Sequence, residues 1–460
     1  MVYDKIVDMR RKSDKFFALA FLVWLVVVGV LSKLVLDEQG RLLMKYPDRG
    51  VPILEISLNG VSLEEINGGS KDVKYEGNGL TVYEGDDVRE YENVEMKGRG
   101  NGTWTLGSDK KPYQIKFNQK VDLFGMGRAR KWYLLANALD ATNLRTEAAF
   151  YLEEMLGLEP AYKGEFVELY VDGEHRGLYY LTRAVEISKD LVDLRDPMGV
   201  LVELDNIYGW TEEYYETENG DKLVVKDSVS KDQKNVAVEM FLKSYNEFEK
   251  AVAKGDYEEI SKLVDVESFE QYYLLSEFTV NPDAYWTSFY MYKDGADDKI
   301  HAGPGWDFDL IFANRNWGNW MGERFYSPVE TMIRRGELLP YDTYKELGLI
   351  GGETDWYGVT QDISTIIFDL MEIPEFQKDV KKVFTERLAG RKMELLRLIQ
   401  MRADEISEVA LANEERWGES NDRQDGGFNA EVNKMLKWVE QRYDYFEKLY
   451  GEGVNFNSAT

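Results

Sequence analysis

The 460-residue chain contains no cysteine. A disulfide framework, a thiolate nucleophile and a cysteine-based zinc site are thereby excluded. Histidine is nearly absent: His175 and His301 are the two in the chain, which rules out a histidine-rich metal centre. Positive charge is short as well. Lys plus Arg number 56 against 84 Asp plus Glu, a net charge of −28. Nucleic acid is therefore not expected as a partner, because phosphate backbones select basic surfaces. No internal repeat of fixed period and no long low-complexity tract occurs. What remains for chemistry is carboxylates, Lys, Arg and hydroxyls. Apolar residues make up 44% and aromatics 13%, enough to bury a large core and to exclude wholesale disorder. The length suits two or three domains, or one two-lobed unit.

Phe16 to Leu31 carries no charge, and the stretch extends to Leu36 with Lys33 as its one interior charge. Such a run approaches the ~20 residues that span hydrocarbon. Arg10, Arg11, Lys12 and Lys15 precede it, and Asp37 and Glu38 follow. The positive-inside rule predicts a cytoplasmic tail over 1–15, a transmembrane signal-anchor over 16–36, and the rest of the chain outside. A cleaved signal peptide is the alternative; no small-x-small cleavage site follows the core, and the run exceeds the usual length.

Residues 37–50 read as a polar linker. From Val51 the pattern becomes strand-like, with VPILEISL ending at Asn59-Gly60, a hairpin signal, and Asp172-Gly173 as a second such turn. A helix is predicted over 140–156, capped by Asp140 or Thr142. GVLVELD (199–205) reads as a further strand. After about residue 230 the periodicity turns helical, over 231–254, 256–280, 360–372, 375–410 and 427–450, with Pro374 as a break. The expectation is an α+β unit with a β-rich N-terminal lobe, a helical C-terminal lobe, a boundary near residue 205 and a cleft between them.

Three stretches suggest chemistry. Lys97-Gly98-Arg99-Gly100-Asn101-Gly102 is followed by KKPYQIKF, which carries Lys116. Glycines at alternate positions let backbone amides approach phosphate, and Lys116 would neutralise its charge; a plain glycine-rich turn gives the same pattern. Asn281-Pro282-Asp283 places an Asp between an apolar helix and the strand-like FYMYK, where it suits a general base or a simple turn. In GPGWDFD, Asp307 and Asp309 flank an aromatic. In extended chain the two side chains point the same way, a geometry suited to Mg²⁺.

Taken together with LLANALDATNLRTEAAFYL, EFVELYVDGEHRGLYYL, GVLVELD and WVEQRYDYFEKL, these motifs resemble the CotH family, atypical secreted protein kinases first known from bacterial spore coats. The resemblance runs over about 51–450, leaving 451–460 as a tail. It implies an atypical protein-kinase-like, two-lobed fold that uses ATP with Mg²⁺ or Mn²⁺. By position, Asp283 matches the catalytic Asp and Asp307 the metal-binding Asp, with Asp309 in the same motif. Gly98, Arg99, Gly100 and Lys116 match the nucleotide-phosphate segment. Arg145 matches the LR of the helix motif, where it either orients the site or makes a structural ion pair. Two positions depart from the pattern: Arg183 stands where Glu is usual, and Ser288 where Asn is frequent.

With the predicted anchor at 16–36, the resemblance points to a membrane-anchored kinase, its catalytic domain extracellular, acting on Ser or Thr of secreted or cell-surface proteins. A catalytically weak kinase-like scaffold in envelope or spore-coat-like assembly is the alternative. A third reading is a glycoside hydrolase with paired carboxylates and Trp286, Trp306, Trp317 and Trp320 as sugar platforms, provided those rings line an open groove.

Overall fold

The structure is a computed structural model that describes residues 45–105, 109–206, 212–281, 283–284, 287–312, 314, 364, 366–418 and 426–451. The predicted membrane span, 16–36, lies outside these residues, as do Trp286, Trp317 and Trp320. Among the described residues no helix is long and apolar enough to cross a membrane.

The first half folds as strands because its apolar residues alternate. β1 (Ile53–Ser57), β2 (Tyr75–Glu84), β3 (Asp87–Gly98), β4 (Tyr113–Asp122), β5 (Arg128–Leu135), β6 (Gly164–Val171) and β7 (Glu174–Arg183) form a closed barrel in the order β1-β2-β3-β4-β5-β7-β6. Closure comes from β1 running parallel to β6, with Ile53 opposite Glu168. Along β4, Tyr113, Ile115 and Phe117 point inward; Trp132 and Leu134 of β5 join them. β6 and β7 are apolar on both faces. Val167, Leu169, Tyr179 and Leu181 fill the barrel, while Phe166, Leu178 and Tyr180 enter a second, larger core beneath the helices.

The hairpin expected at Asn59-Gly60 is absent: helix α1 (Leu63–Gly68) intervenes before β2, capped by the Ser62 side chain. The Asp172-Gly173 turn does join β6 to β7, with both residues at positive φ. The expected linker is docked over its described part. Tyr46 stacks on Tyr170 at 3.8 Å, and its hydroxyl donates to Glu55 Oε1 at 2.7 Å.

A short helix, α2 (Gly102–Thr105), follows β3, and α3 (Arg145–Leu156) lies between β5 and β6. The second half is less purely helical than its periodicity implies. β8 (Gly199–Leu204), β9 (Tyr214–Glu216), β10 (Lys222–Ser228), β11 (Phe289–Asp294) and β12 (His301–Ala302) make an antiparallel sheet in the order β12-β11-β8-β10-β9. Helices α4 (Lys234–Ala253), α5 (Tyr257–Leu263), α6 (Val266–Thr279), α7 (Ile366–Met371), α8 (Pro374–Arg387), α9 (Lys392–Trp417) and α10 (Gly427–Phe446) complete the core. Two predicted helices are each split. Asp265 caps α6 through Ser268 N and so separates it from α5; a turn at 388–391 divides α8 from α9.

The barrel is tied to α9. Asn413 Oδ1 accepts from Leu178 N at 3.1 Å, Trp417 Nε1 donates to Arg176 O at 2.8 Å, and Arg402 bridges Glu147 and Glu165. The class is α+β, as expected, with its β-rich half closed into a barrel.

Candidate active site

One wall of the site is the outer face of the barrel. In β4 and β5 Lys116 stands directly opposite Lys131, and Glu95 of β3 lies opposite Lys116 on its other side. The Lys116 ammonium is 3.9 Å from Glu95 Oε2. Tyr133, two residues beyond Lys131, shares that face, and the Arg99 guanidinium lies 4.5 Å from its ring centroid. Lys131 pairs with Glu186 at 2.9 Å; burial opposes its charge, but Glu186 outweighs this and raises its pKa. The sequence reading missed this ion pair, because Glu186 lies beyond β7 in a segment of no regular period.

The glycines have local causes. Gly98 ends β3 under the Trp104 ring: a Cβ there would sit 2.6 Å from two ring carbons and 2.9 Å from Lys71 Cα. Gly100 holds φ +75°. Close packing and a left-handed turn thus account for both positions.

The opposite wall is the 303–312 loop. Gly303 N donates to Tyr290 O at 2.8 Å, and Gly305 N to Glu153 Oε1 at 2.6 Å. Trp306 is buried among Tyr133, Phe150 and Tyr162, with ring centroids 5.9, 5.9 and 5.3 Å away. Farther along, the Arg145 Nε donates to Ile311 O at 2.8 Å, and Arg145 forms a buried ion pair with Asp140. Phe312 N donates to Thr279 O at 3.1 Å. Asp140 Oδ2 also accepts from Arg145 N at 3.0 Å, but neither Asp140 nor Thr142 is the N-cap: the helix starts five residues later than predicted, with Leu144 at that position and no side-chain capping bond. Arg145 therefore orients the loop and is a buried ion-pair partner at once.

Asp307 adopts φ +63°, so the extended geometry expected for Asp307 and Asp309 does not hold. The two carboxyls still act on each other. Asp307 Oδ2 accepts from Ser288 Oγ at 3.3 Å, and Ser288 is itself left-handed at φ +55°. Asp307 is exposed, yet desolvation by the surrounding protein raises its pKa; Arg99 opposes the rise and Asp205 adds to it. Burial, then Asp307, Asp283 and Asp140, push Asp309 well above the ordinary carboxylate range. These shifts bring Asp283, Asp307, Asp309 and Arg99 into one electrostatic neighbourhood.

Asp283 follows α6. Its N–H donates to Asn281 Oδ1 at 3.1 Å, and Thr287 N donates to its carbonyl at 3.0 Å. Buried Arg442 of α10 caps the end of α6, its Nε donating to Phe278 O at 3.2 Å. The floor is the sheet face bearing Asp205, Glu203 and Tyr290. Thr287 Oγ1 donates to Asp205 Oδ1 at 2.9 Å. Burial raises Glu203 to about 7 despite Lys226 beside it. Asp205 was legible only as the end of a strand, so its place beside Asp307 went unread.

The remaining candidates fall elsewhere. His175 lies 2.7 Å from buried Glu168, near Tyr170 on the barrel. His301 stacks on Tyr292 at 5.0 Å, at the sheet edge. Buried Arg183 donates to Ser188 Oγ at 2.8 Å and Met126 O at 3.3 Å, bracing the segment that carries Glu186. With Trp306 buried, the hydrolase reading loses that ring as a sugar platform.

Among the described residues no three acidic or imidazole side chains close around one point as a protein cage for a metal. The neighbouring carboxylates of Asp307 and Asp309 do suit a hard cation that takes one or two carboxylates and completes its shell with phosphate and water. Residues 96–446 match the family profile described as CotH kinase protein. No curated protein matches the chain.

Proposed function

The chain belongs to the CotH family, and from that premise we propose that it is an ATP-dependent protein kinase of atypical, two-lobed type. Its domain faces the outside of the cell and is anchored by residues 16–36, and it modifies Ser or Thr of secreted or surface proteins. The reading is supported by the proximity of these acids: Asp309 lies within electrostatic reach of Asp307 and Asp283, and Asp307 within reach of Arg99. Asp283 receives the proton of the acceptor hydroxyl as its oxygen bonds to the γ-phosphorus and the bond to the ADP oxygen breaks. Arg99, Lys116 and Lys131 hold phosphate oxygens from the barrel side, Glu186 fixing Lys131 in place. Asp307 and Asp309 would hold Mg²⁺ or Mn²⁺, which supplies charge neutralisation on the phosphates. Buried Trp306 and Arg145 keep those carboxylates in register.

The test is transfer of label from ATP by the full chain, with Mg²⁺ or Mn²⁺ and a Ser-rich acceptor. Asp283→Asn should lose about 10²–10⁴ in rate while still binding nucleotide. Arg183 and Ser288, which replace residues usual in the family, favour the second reading, a kinase-like scaffold. Nucleotide binding without transfer under any metal or acceptor would select it.

A further inference from the structure

Glu153 is fully buried on α3, and its Oε1 accepts from Gly305 N. No bond of normal geometry reaches its Oε2 among the described residues, and beyond Gly305 the Tyr162 backbone N–H is the other donor close to the carboxylate. An acid held this way is costly, since a leucine would fill the space without a stranded oxygen. The same helix carries Arg145, which takes the carbonyls of Ile311 and Phe312. Eight residues of helix separate the two side chains by about 12 Å. The 305–312 loop is therefore suspended between two posts on one helix, with Asp307 and Asp309 in the span.

We propose that Glu153 is a positioning residue for the cation-binding loop. By accepting the Gly305 amide hydrogen it fixes the N-terminal end of the span, and with it the direction of the Asp307 carboxylate. Gly305 admits no alternative seat. A Cβ there would lie 2.8 Å from Phe308 Cζ, 2.9 Å from Leu275 Cδ2 and 3.1 Å from Glu153 Oε1. Glutamine keeps the side-chain length and the Oε1 acceptor that faces Gly305 N, so it is the conservative replacement. The cation role assigned here rests on the kinase reading; the fixing of the loop does not.

The test compares the full chain with Glu153→Leu and Glu153→Gln. Hydrogen exchange of the apo protein reads loop order without metal or nucleotide. Glu153→Leu should speed exchange over 303–312 by roughly tenfold, the scale of one buried hydrogen bond, and Glu153→Gln should stay near wild type. Mn²⁺ binding with ATP, followed by electron paramagnetic resonance, should weaken about tenfold for Leu and be restored by Gln. If Glu153→Leu does not fold, Gly305→Ala opens the same contact from the loop side and should show both effects. Unchanged exchange in these variants, or failure of Gln to restore Mn²⁺ affinity, overturns the proposal. A wild-type chain that binds no Mn²⁺-nucleotide overturns the kinase reading and the cation role with it, whatever the exchange shows.

Discussion

Arg145→Met removes the one side chain that joins Asp140, Thr142 and the end of the acidic loop. Arg145 has no solvent exposure, and its guanidinium serves Asp140, Thr142 Oγ1 at 3.3 Å, Ile311 O at 2.8 Å and Phe312 O at 3.4 Å. The methionine fills most of the volume, so the loss is chiefly electrostatic. Breaking a buried pair from one side costs about 3–5 kcal/mol, because the other charge is left in a poor solvent. Asp140 keeps the Thr142 N and Thr142 Oγ1 donors, at 2.9 and 2.6 Å, which places the expected loss near the lower bound. Neutralising that acid should recover much of it: Arg145→Met with Asp140→Asn should be more stable than Arg145→Met alone, by about 1 kcal/mol or more. Arg145→Lys should not rescue, since an ammonium lacks the planar fork that reaches both a carboxylate and two carbonyls. Urea unfolding of the wild type, Arg145→Met, Asp140→Asn and the double mutant measures this cycle, with Arg145→Lys as the fifth protein. A single-mutant loss below about 1 kcal/mol, or a double mutant no more stable than Arg145→Met, would refute the assignment.

Glu270 is raised to about 8 by burial, then by Asp379 and Glu267, from an ordinary 4.5. A folded pKa above the unfolded one means that its stabilisation is complete below pH 4.5 and is lost as pH rises through about 8. Glu270→Gln should leave the melting temperature unchanged at pH 5 and raise it at pH 9; equal shifts at both would sink the idea. Gly98→Ala should destabilise by about 1–3 kcal/mol, because the Lys71 backbone cannot yield to the new methyl; calorimetry checks it. Lys131→Met should cost less than about 1 kcal/mol of stability, its ion pair being partly exposed. Its ATP affinity should nonetheless fall by roughly tenfold in calorimetric titration, and unchanged affinity would remove Lys131 from the phosphate set.

The elements most legible in the sequence are those whose periodicity is local. The alternation in PYQIKF marks β4, and the cap at Asp265 was available as a residue preceding an apolar period, although the prediction ran through it. Barrel closure was not legible, because the parallel pairing of Ile53 with Glu168 leaves no trace in either strand's own pattern. In the site, GPGWDFD stood out by composition, and its acids do lie together. The left-handed turn at Asp307, φ +63°, did not stand out: it lies in a loop held by Glu153 at Gly305 and Arg145 at Ile311, with Ser288 on the Asp307 carboxylate, and all three are distant in sequence. Glu153, Lys131 and Asp205 were invisible for a related reason. Each is an ordinary polar residue on a helix or strand until a distant partner gives it a task.

The clasp between β7 and α9 sets an order of events during synthesis. Leu178 and Asn413, joined by one hydrogen bond, are 235 positions apart in the chain. At about 5–20 residues per second, β7 waits on the order of 10–50 s for its partner to emerge. An open sheet left that long would offer unpaired strand edges to any neighbouring nascent chain. With β1 already paired to β6, the insertion of β7 between β5 and β6 removes the last edges once residue 183 is made, so the barrel can stand by safely while the helices that fasten it are still being translated.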